Sequence, residues 1–217
     1  MMKLKKELPL IGIVLLPFLY LAYVWNQLPA EVPLHYNIKG EVDRYGDKSE
    51  LIMIPILLPL LIYVILSVVP YIDPKKQIQK MGNKYHDLKL ILTLFMSALA
   101  LFIIHSTKSG SLGNPNVIFM IVGALYVVLG NYFKTIKANY FIGIRTPWTL
   151  ESESIWKATH KLGGKIWFVG GLLAIICSLV LDAKLNFMVF MGITVIIALI
   201  PVIYSFLLYR KEQKAAG

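Results

Sequence analysis

Apolar residues in this chain are concentrated in six long runs separated by shorter polar segments. The runs are Leu8–Trp25, Leu51–Ile72, Leu88–Ile104, Val117–Phe133, Ile166–Leu181 and Leu185–Tyr209. A helix needs roughly 20 apolar residues to cross about 30 Å of hydrocarbon. The fourth and fifth runs are short for a span, and they can borrow residues from their flanks or cross with little tilt. The pattern therefore predicts an all-α membrane protein with six transmembrane helices.

The positions of the basic residues predict how these helices are oriented. Of the 22 Lys and Arg residues, those on one side of the predicted membrane are Lys39, Arg44, Lys48, Lys108 and Lys184. All the others, from Lys3 onwards, fall on the opposite side. Cytoplasmic loops of membrane proteins are enriched in Lys and Arg, so both termini are predicted to be cytoplasmic. The same rule accounts for the net charge of +10, and direct nucleic-acid binding is not expected.

The order of runs and connections divides the chain into three expected regions. Residues 1–72 form an N-terminal two-helix region with a long outer loop, and residues 73–112 form the third helix and its flanks. Residues 113–217 form a C-terminal region with a long cytoplasmic loop. The lone cysteine, Cys177, lies inside an apolar run and cannot form an intrachain disulfide or a cysteine metal cluster.

Ionisable residues at membrane depth usually mark ion or proton pathways. None of the six runs has Asp, Glu, Lys or Arg in its middle; Lys89, His105 and Asp182 lie at or near the ends. This absence argues against a proton-coupled pump. A carrier for neutral solutes remains compatible with the sequence.

The outer loop, from Leu28 to Glu50, is rich in turn-forming and polar residues. Gly40 and Gly46 are expected to allow turns with positive φ. A cation could be bound by nitrogen and oxygen ligands from His35, Asn37, Glu41, Asp43 and Asp47. No His-x-x-His motif or cysteine pair supports such a site, so no metal is predicted. A structured loop that contacts a partner or caps the helix bundle is favoured.

The inner loop contains the segment GIRTPWTLESESIWKATH, from Gly143 to His160. Thr149 is expected to be the N-cap of a short helix that ends at the Gly163-Gly164 pair. Trp156 and His160 would share one face of this helix, which is expected to lie at the membrane surface.

Arg145 precedes the expected helix start. It could contact a phosphate or carboxylate, or it could anchor the loop to carbonyls or to Glu151. Catalysis by His160 is not expected, because the segment lacks a nucleophile and an orienting group arranged around it.

Two motifs in this chain resemble known protein regions. The inner segment, with Gly143-Ile144-Arg145-Thr146-Pro147, Thr149-Leu150, Trp156, His160 and Gly163, resembles the signature region of the SdpI family of bacterial integral membrane proteins. The outer loop, with Leu28-Pro29, Val32-Pro33, His35, Asn37, Gly40 and Asp43, resembles the domain of unknown function that precedes this region in longer members.

The resemblance implies a multi-pass protein of the bacterial plasma membrane that is not an enzyme and needs no cofactor. Its best understood member is an immunity protein that protects a Gram-positive cell from a secreted peptide toxin and holds a cytoplasmic repressor at the membrane. The expected partners are therefore membrane lipids, a peptide toxin outside and a repressor inside. The alternative function is a small transporter or a lipid-handling protein.

The resemblance also supplies two sets of candidate site residues. The cytoplasmic motif, expected to contact a partner or lipid, comprises Gly143, Arg145, Thr146, Pro147, Trp148, Thr149, Trp156 and His160. The outer-loop motif comprises Pro33, His35, Asn37, Gly40 and Asp43. Neither set is expected to hold a metal or to catalyse a reaction.

Overall fold

The structure is a computed structural model that describes residues 4–216. Lys3 and the outermost residues of the first and third expected regions lie outside the described residues. The helices are α1 (Leu4–Val24), α2 (Met53–Pro55), α3 (Leu61–Ile72), α4 (Gln77–Met81), α5 (Asn83–Ser109), α6 (Asn116–Tyr132), α7 (Pro147–Glu151), α8 (Glu153–Val180) and α9 (Ala183–Ala216). Two strands, β1 (Glu31–Tyr36) and β2 (Val42–Asp47), lie between α1 and α2.

The predicted set of six transmembrane helices is confirmed. Six helices are long and apolar enough to cross a membrane: Lys5–Gln27, Lys48–Ile72, Asn83–Ser109, Asn116–Thr135, Glu153–Val180 and Ala183–Ala215. The second span contains α2 and α3, joined by a π-helical turn over Ile56–Leu60. Pro59 lies in that turn and has no N–H for the usual bond to the residue four positions earlier, which accounts for the local widening. The orientation of the termini stays a prediction.

The outer loop departs from the expected all-α fold because it contains an antiparallel β-hairpin. Glu31 pairs with Asp47 and Pro33 with Tyr45 across the two strands. Gly40 has φ +80°, as expected for a turn, but Gly46 lies inside β2 without a positive φ. The prediction of a turn at Gly46 is therefore wrong. A side chain there would collide with Leu34, so glycine makes room for packing.

The chain divides into two compact units. The first contains the described residues up to Pro70 together with Tyr85–Pro115, and the second contains Tyr71–Lys84 and the described residues from Asn116 onwards. In the first unit, a core packs the base of the hairpin against the helices. Its buried members are Leu21, Val24, Leu28, Val32, Leu51 and Ile104.

In the second unit, α6 and α8 approach closely at two pairs of glycines. A Cβ on Gly164 would lie 2.6 Å from the carbonyl oxygen of Gly130, and a Cβ on Gly171 would lie 2.6 Å from that of Gly123. Small residues at such positions let helix backbones touch, as is common in membrane proteins. The glycines in each helix are seven residues apart, which is two helical turns, so both pairs fall on the same contact face.

This contact explains why one sequence prediction is wrong. The Gly163-Gly164 pair does not end a helix, because α8 continues without a break from Glu153 to Val180. The expected surface helix and the fifth apolar run are thus parts of one helix. Its glycines provide space for α6 and for Ile144, whose Cδ1 atom would lie 2.8 Å from a Cβ on Gly163.

Candidate functional site

The cytoplasmic motif begins in an irregular segment between α6 and α7 that is organised by Asn139. This residue is fully buried. Its side-chain oxygen accepts from the backbone N–H groups of Phe141 and Ile142, both at 2.8 Å. Its side-chain amide donates to the carbonyls of Lys137 at 2.7 Å and Ile142 at 3.1 Å. One amide therefore satisfies backbone groups that a helix or sheet would otherwise pair.

Gly143 brings this segment into contact with α8. Its φ of +108° lies in a region that L side chains rarely adopt. A Cβ at this position would also collide with the Nε2 atom of His160 and would approach the Trp156 ring to 3.2 Å. Both the backbone conformation and the available space therefore require glycine.

His160 fastens the motif to α8 through two hydrogen bonds. The backbone N–H of Ile144 donates to Nε2 at 3.0 Å, and Nδ1 lies 2.9 Å from the carbonyl oxygen of Trp156. A backbone N–H can only donate, so Nε2 must be unprotonated and Nδ1 must carry the proton. The ring is therefore a neutral, buried connector with both nitrogens engaged. This arrangement leaves no free nitrogen to act as a base.

Trp156 is buried, which contradicts its expected place at the membrane surface. Its indole N–H donates to the carbonyl oxygen of Ile136 at 2.8 Å, and its ring stacks on His160 with centroids 4.1 Å apart. The irregular segment folds back over this face of α8 and covers it. The sequence placed both rings on one helical face correctly, but that face is covered by protein.

The helix that follows starts three residues earlier than predicted. Thr146, not Thr149, is the N-cap of α7, and Pro147 occupies its first turn. The Thr146 N–H donates to the Thr149 hydroxyl at 2.8 Å, and the Thr149 N–H donates to the Thr146 hydroxyl at 3.3 Å. Two threonines thus form a reciprocal capping box. Ser152 then caps α8 by accepting from the N–H of Ile155 at 3.3 Å.

Trp148 joins α7 to α9. Its indole N–H donates to the Ser205 hydroxyl at 2.8 Å, and its ring stacks on Tyr209 with centroids 5.9 Å apart. Ser205 is fully buried and lies on α9, four residues before the apolar run ends at Tyr209. The motif is therefore held by α8 through His160 and by α9 through Trp148.

Arg145 is exposed, unlike the adjacent Ile144 and Thr146. Its guanidinium donates to the carbonyl oxygen of Tyr140, and Lys75 lies over the Tyr140 ring, 4.9 Å from its centroid. None of the ion pairs found among residues 4–216 includes Arg145. The structure therefore contains the carbonyl anchor that was one of its two expected roles. Pro147, the next exposed motif residue, lies two positions away.

The outer-loop motif lies along the hairpin. His35 Nδ1 is 2.5 Å from an Asp43 carboxylate oxygen, and both side chains are exposed. Asn37 forms the turn by accepting from the N–H groups of Lys39 at 2.8 Å and Glu41 at 3.1 Å. A Cβ on Gly40 would lie 2.7 Å from Pro115. The motif thus combines turn residues with one exposed, hydrogen-bonded histidine–aspartate pair.

The base of the hairpin is tied to α5 and to the start of the second span. The carbonyl of Pro33 accepts from the Thr107 hydroxyl at 3.2 Å, and the Tyr36 hydroxyl donates to the Ser106 carbonyl at 3.2 Å. Burial raises the pKa of the Tyr36 phenol. Hydrogen bonds from Ser49 lower the pKa of the Asp47 carboxyl at the end of β2.

Two features that support the cytoplasmic motif were not predicted from the sequence. Asn139 and Ser205 organise the motif, but a single polar residue in a loop or helix gives no pattern that marks it. The contact between Gly130 and Gly164 was also missed, although a signal existed. The spacing of seven residues between Gly123 and Gly130 recurs between Gly164 and Gly171.

Comparison with known proteins finds two matching family models. The SdpI/YfhL protein family matches residues 135–205, and a domain of unknown function (DUF1648) matches residues 12–58. The first range contains the whole cytoplasmic motif, and the second contains the hairpin. No solved structure matches.

Two curated proteins are similar over much of their length. The immunity protein SdpI of Bacillus subtilis (strain 168) is 30% identical over 180 residues, which cover 81% of this chain and 82% of that protein. An uncharacterized protein of Archaeoglobus fulgidus is 28% identical over 153 residues, which cover 58% of this chain and 81% of that protein.

Proposed function

Because this chain belongs to the SdpI/YfhL family, we propose that it is a membrane immunity protein that protects its cell from a secreted antimicrobial peptide and relays the peptide's presence to a cytoplasmic repressor. The observation that carries the proposal is the similarity to an immunity protein over 81% of the chain. The aligned length exceeds either motif region, so the likeness extends beyond a single motif.

We assign the outer hairpin to peptide recognition. The His35 and Asp43 side chains are 67% and 43% exposed, and Tyr45 is 61% exposed on β2. The hairpin therefore offers charged and aromatic groups to a partner. Its base is fixed by hydrogen bonds, which limits the entropy lost on binding.

We assign the exposed part of the cytoplasmic motif to the repressor. Trp156, His160 and Thr149 are buried and support the segment. Arg145 and Pro147 are exposed, and Trp148 is half-buried. Arg145 and Pro147, with the half-buried Trp148 beside them, are therefore the motif positions that we assign to this contact. Arg145 supplies N–H groups that suit an acidic side chain.

Protection is tested by expressing the protein in a sensitive Gram-positive strain and adding a secreted killing peptide from a related producer. Survival and membrane potential, followed with a potential-sensitive dye, are expected to be preserved. The double variant His35→Ala/Asp43→Ala should lose protection. The matched control Arg44→Ala/Glu50→Ala removes the exposed Arg44–Glu50 ion pair from the same region and should keep protection. Unchanged killing with the wild-type protein would refute immunity.

The repressor role is tested with a fluorescent repressor candidate in peptide-treated cells. Arg145→Ala should release it from the membrane while protection persists. Lys157→Ala, which removes an exposed lysine paired with Glu153 on α8, should leave capture intact. Continued capture by the Arg145 variant would remove Arg145 from this role.

The proposal requires the hairpin outside and the cytoplasmic motif inside. The single cysteine allows a direct test, in which Cys177→Ser is combined with Lys39→Cys or with Lys157→Cys. An impermeant maleimide should label the position 39 variant in intact cells. It should label the position 157 variant only after permeabilisation. The reverse pattern would overturn the orientation and, with it, both assignments.

A further inference from the structure

A groove of about 540 Å³ lies on the second unit, between the C-terminal end of α6 and the middle of α8. Three lysines, Lys134, Lys161 and Lys165, contribute to its lining. Its wall includes Gly130 and Gly164, the pair at which the helix backbones touch. Since neither glycine carries a side chain, the helix crossing leaves an open depression.

Along α8, the basic residues that line this groove come first and the apolar lining residues come after them. Lys161 and Lys165 are four residues apart and share a helical face. Phe168 and Val169 lie about one turn further on and are 40% and 54% exposed. The apolar run begins directly after Lys165, at Ile166. This order predicts that the lysines lie at the boundary between polar surroundings and hydrocarbon, with the exposed apolar side chains deeper in the membrane.

The charge of the groove is not balanced by protein groups. None of the ion pairs formed within residues 4–216 includes these three lysines, and none of the described lining residues is an Asp or Glu. Basic pockets at this depth between membrane helices suit anionic lipid headgroups.

We propose that this groove binds one anionic phospholipid, with its phosphate among the three lysines and an acyl chain along Phe168 and Val169. The proposal does not depend on immunity, because it rests only on the shape, charge and apolar surface of the groove. His160 also forms part of the wall. A bound lipid would therefore lie against the ring that fastens the cytoplasmic motif and should stabilise that region.

Native mass spectrometry of the purified protein in mild detergent tests the proposal. Phosphatidylglycerol and phosphatidylcholine of identical acyl chains are added separately, and bound lipid is counted. The wild type should retain phosphatidylglycerol in preference, at one molecule per chain. The variant Lys134→Gln/Lys161→Gln/Lys165→Gln should bind it about tenfold more weakly or worse, since each lysine near a membrane surface contributes measurably to anionic-lipid attraction.

The matched control is Lys157→Gln/Lys211→Gln/Lys214→Gln, which removes the same charge outside the groove. It should bind phosphatidylglycerol as the wild type does. An equal loss in both triple variants, or no preference over phosphatidylcholine, would overturn the proposal. If the groove triple variant misfolds, single Lys→Gln variants at the three positions are compared with the wild type instead. Each is expected to weaken phosphatidylglycerol binding severalfold.

A final experiment distinguishes the binding of a phospholipid from the binding of free phosphate. Phosphatidylglycerol should raise the melting temperature of the wild type, while millimolar inorganic phosphate alone should not. Equal stabilisation by inorganic phosphate would refute a lipid site.

Discussion

Replacing His160 with glutamine or with leucine tests the role derived for its ring. A glutamine side-chain oxygen can take the place of Nε2 and accept from the Ile144 N–H. Leucine has a similar volume but cannot accept, so it would leave that N–H without its partner. The variants thus differ mainly in the bond that is 3.0 Å long in the structure.

The expected difference in stability follows from this single bond. An orphaned donor costs about 1–3 kcal/mol when it is buried. Because Ile144 is half-buried, we expect the loss of this hydrogen bond to cost about 1–2 kcal/mol of stability, the lower part of that range. At about 2–4 °C per kcal/mol for a chain of this size, the leucine variant should melt roughly 2–8 °C below the glutamine variant. Both should melt below the wild type, because both lose the stacking on Trp156, which is worth about 0.5–1.5 kcal/mol.

Intrinsic tryptophan fluorescence during heating in detergent gives the melting temperatures, and the protection assay gives activity. His160→Asn is a useful third variant, since its shorter side chain can reach the Trp156 carbonyl but not Ile144. It should melt close to the leucine variant. Equal melting temperatures for glutamine and leucine would refute the hydrogen-bond argument. A glutamine variant with near-native stability but no protection would show that the ring does more than connect.

Three further substitutions test other contacts, each by melting temperature in the same detergent. Gly143→Ala should cost about 2–4 kcal/mol from its positive φ and the ring it meets, and preserved stability would contradict that geometry. Gly164→Leu should separate α6 from α8 and melt far below Gly192→Leu, a helical control whose Cβ meets nothing within 4 Å, whereas equal effects would exclude a special crossing. Lys89→Met should cost about 3–5 kcal/mol by leaving the Glu7 carboxylate, 2.8 Å away, without its charge partner. Adding Glu7→Gln should recover much of that loss, and no recovery would argue against the ion pair as its source.

The transmembrane helices could be predicted from the sequence because the thickness of a bilayer fixes the length of an apolar run. The family could also be recognised, since its motif residues stand close together in the chain. Those motif residues proved to serve different purposes. Thr149, Trp156 and His160 are buried and support the segment, whereas Arg145 and Pro147 are the exposed members of the set.

The outer hairpin was harder to predict, because short strands with two prolines nearby resemble an irregular loop. Gly46 illustrates the difficulty. Glycine is common in turns because it tolerates a positive φ. Gly46 instead lies in a strand, where the absence of a side chain leaves room for Leu34. Only the position of that neighbour distinguishes the two uses.

The six apolar helices, and the helical face that Trp156 and His160 share, follow from the order of the residues alone. Long-range packing determines whether α8 ends at Gly163-Gly164 and whether that face meets lipid or protein. A glycine pair can end a helix, because glycine readily adopts non-helical backbone angles. It can also lie inside a continuous helix, where the missing side chains let another helix approach closely. Gly164 does the second because the Gly130 carbonyl lies against it, and a contact between residues 34 positions apart leaves no local signal. The burial of Trp156 has the same origin, since its cover is a segment folded back from elsewhere in the chain.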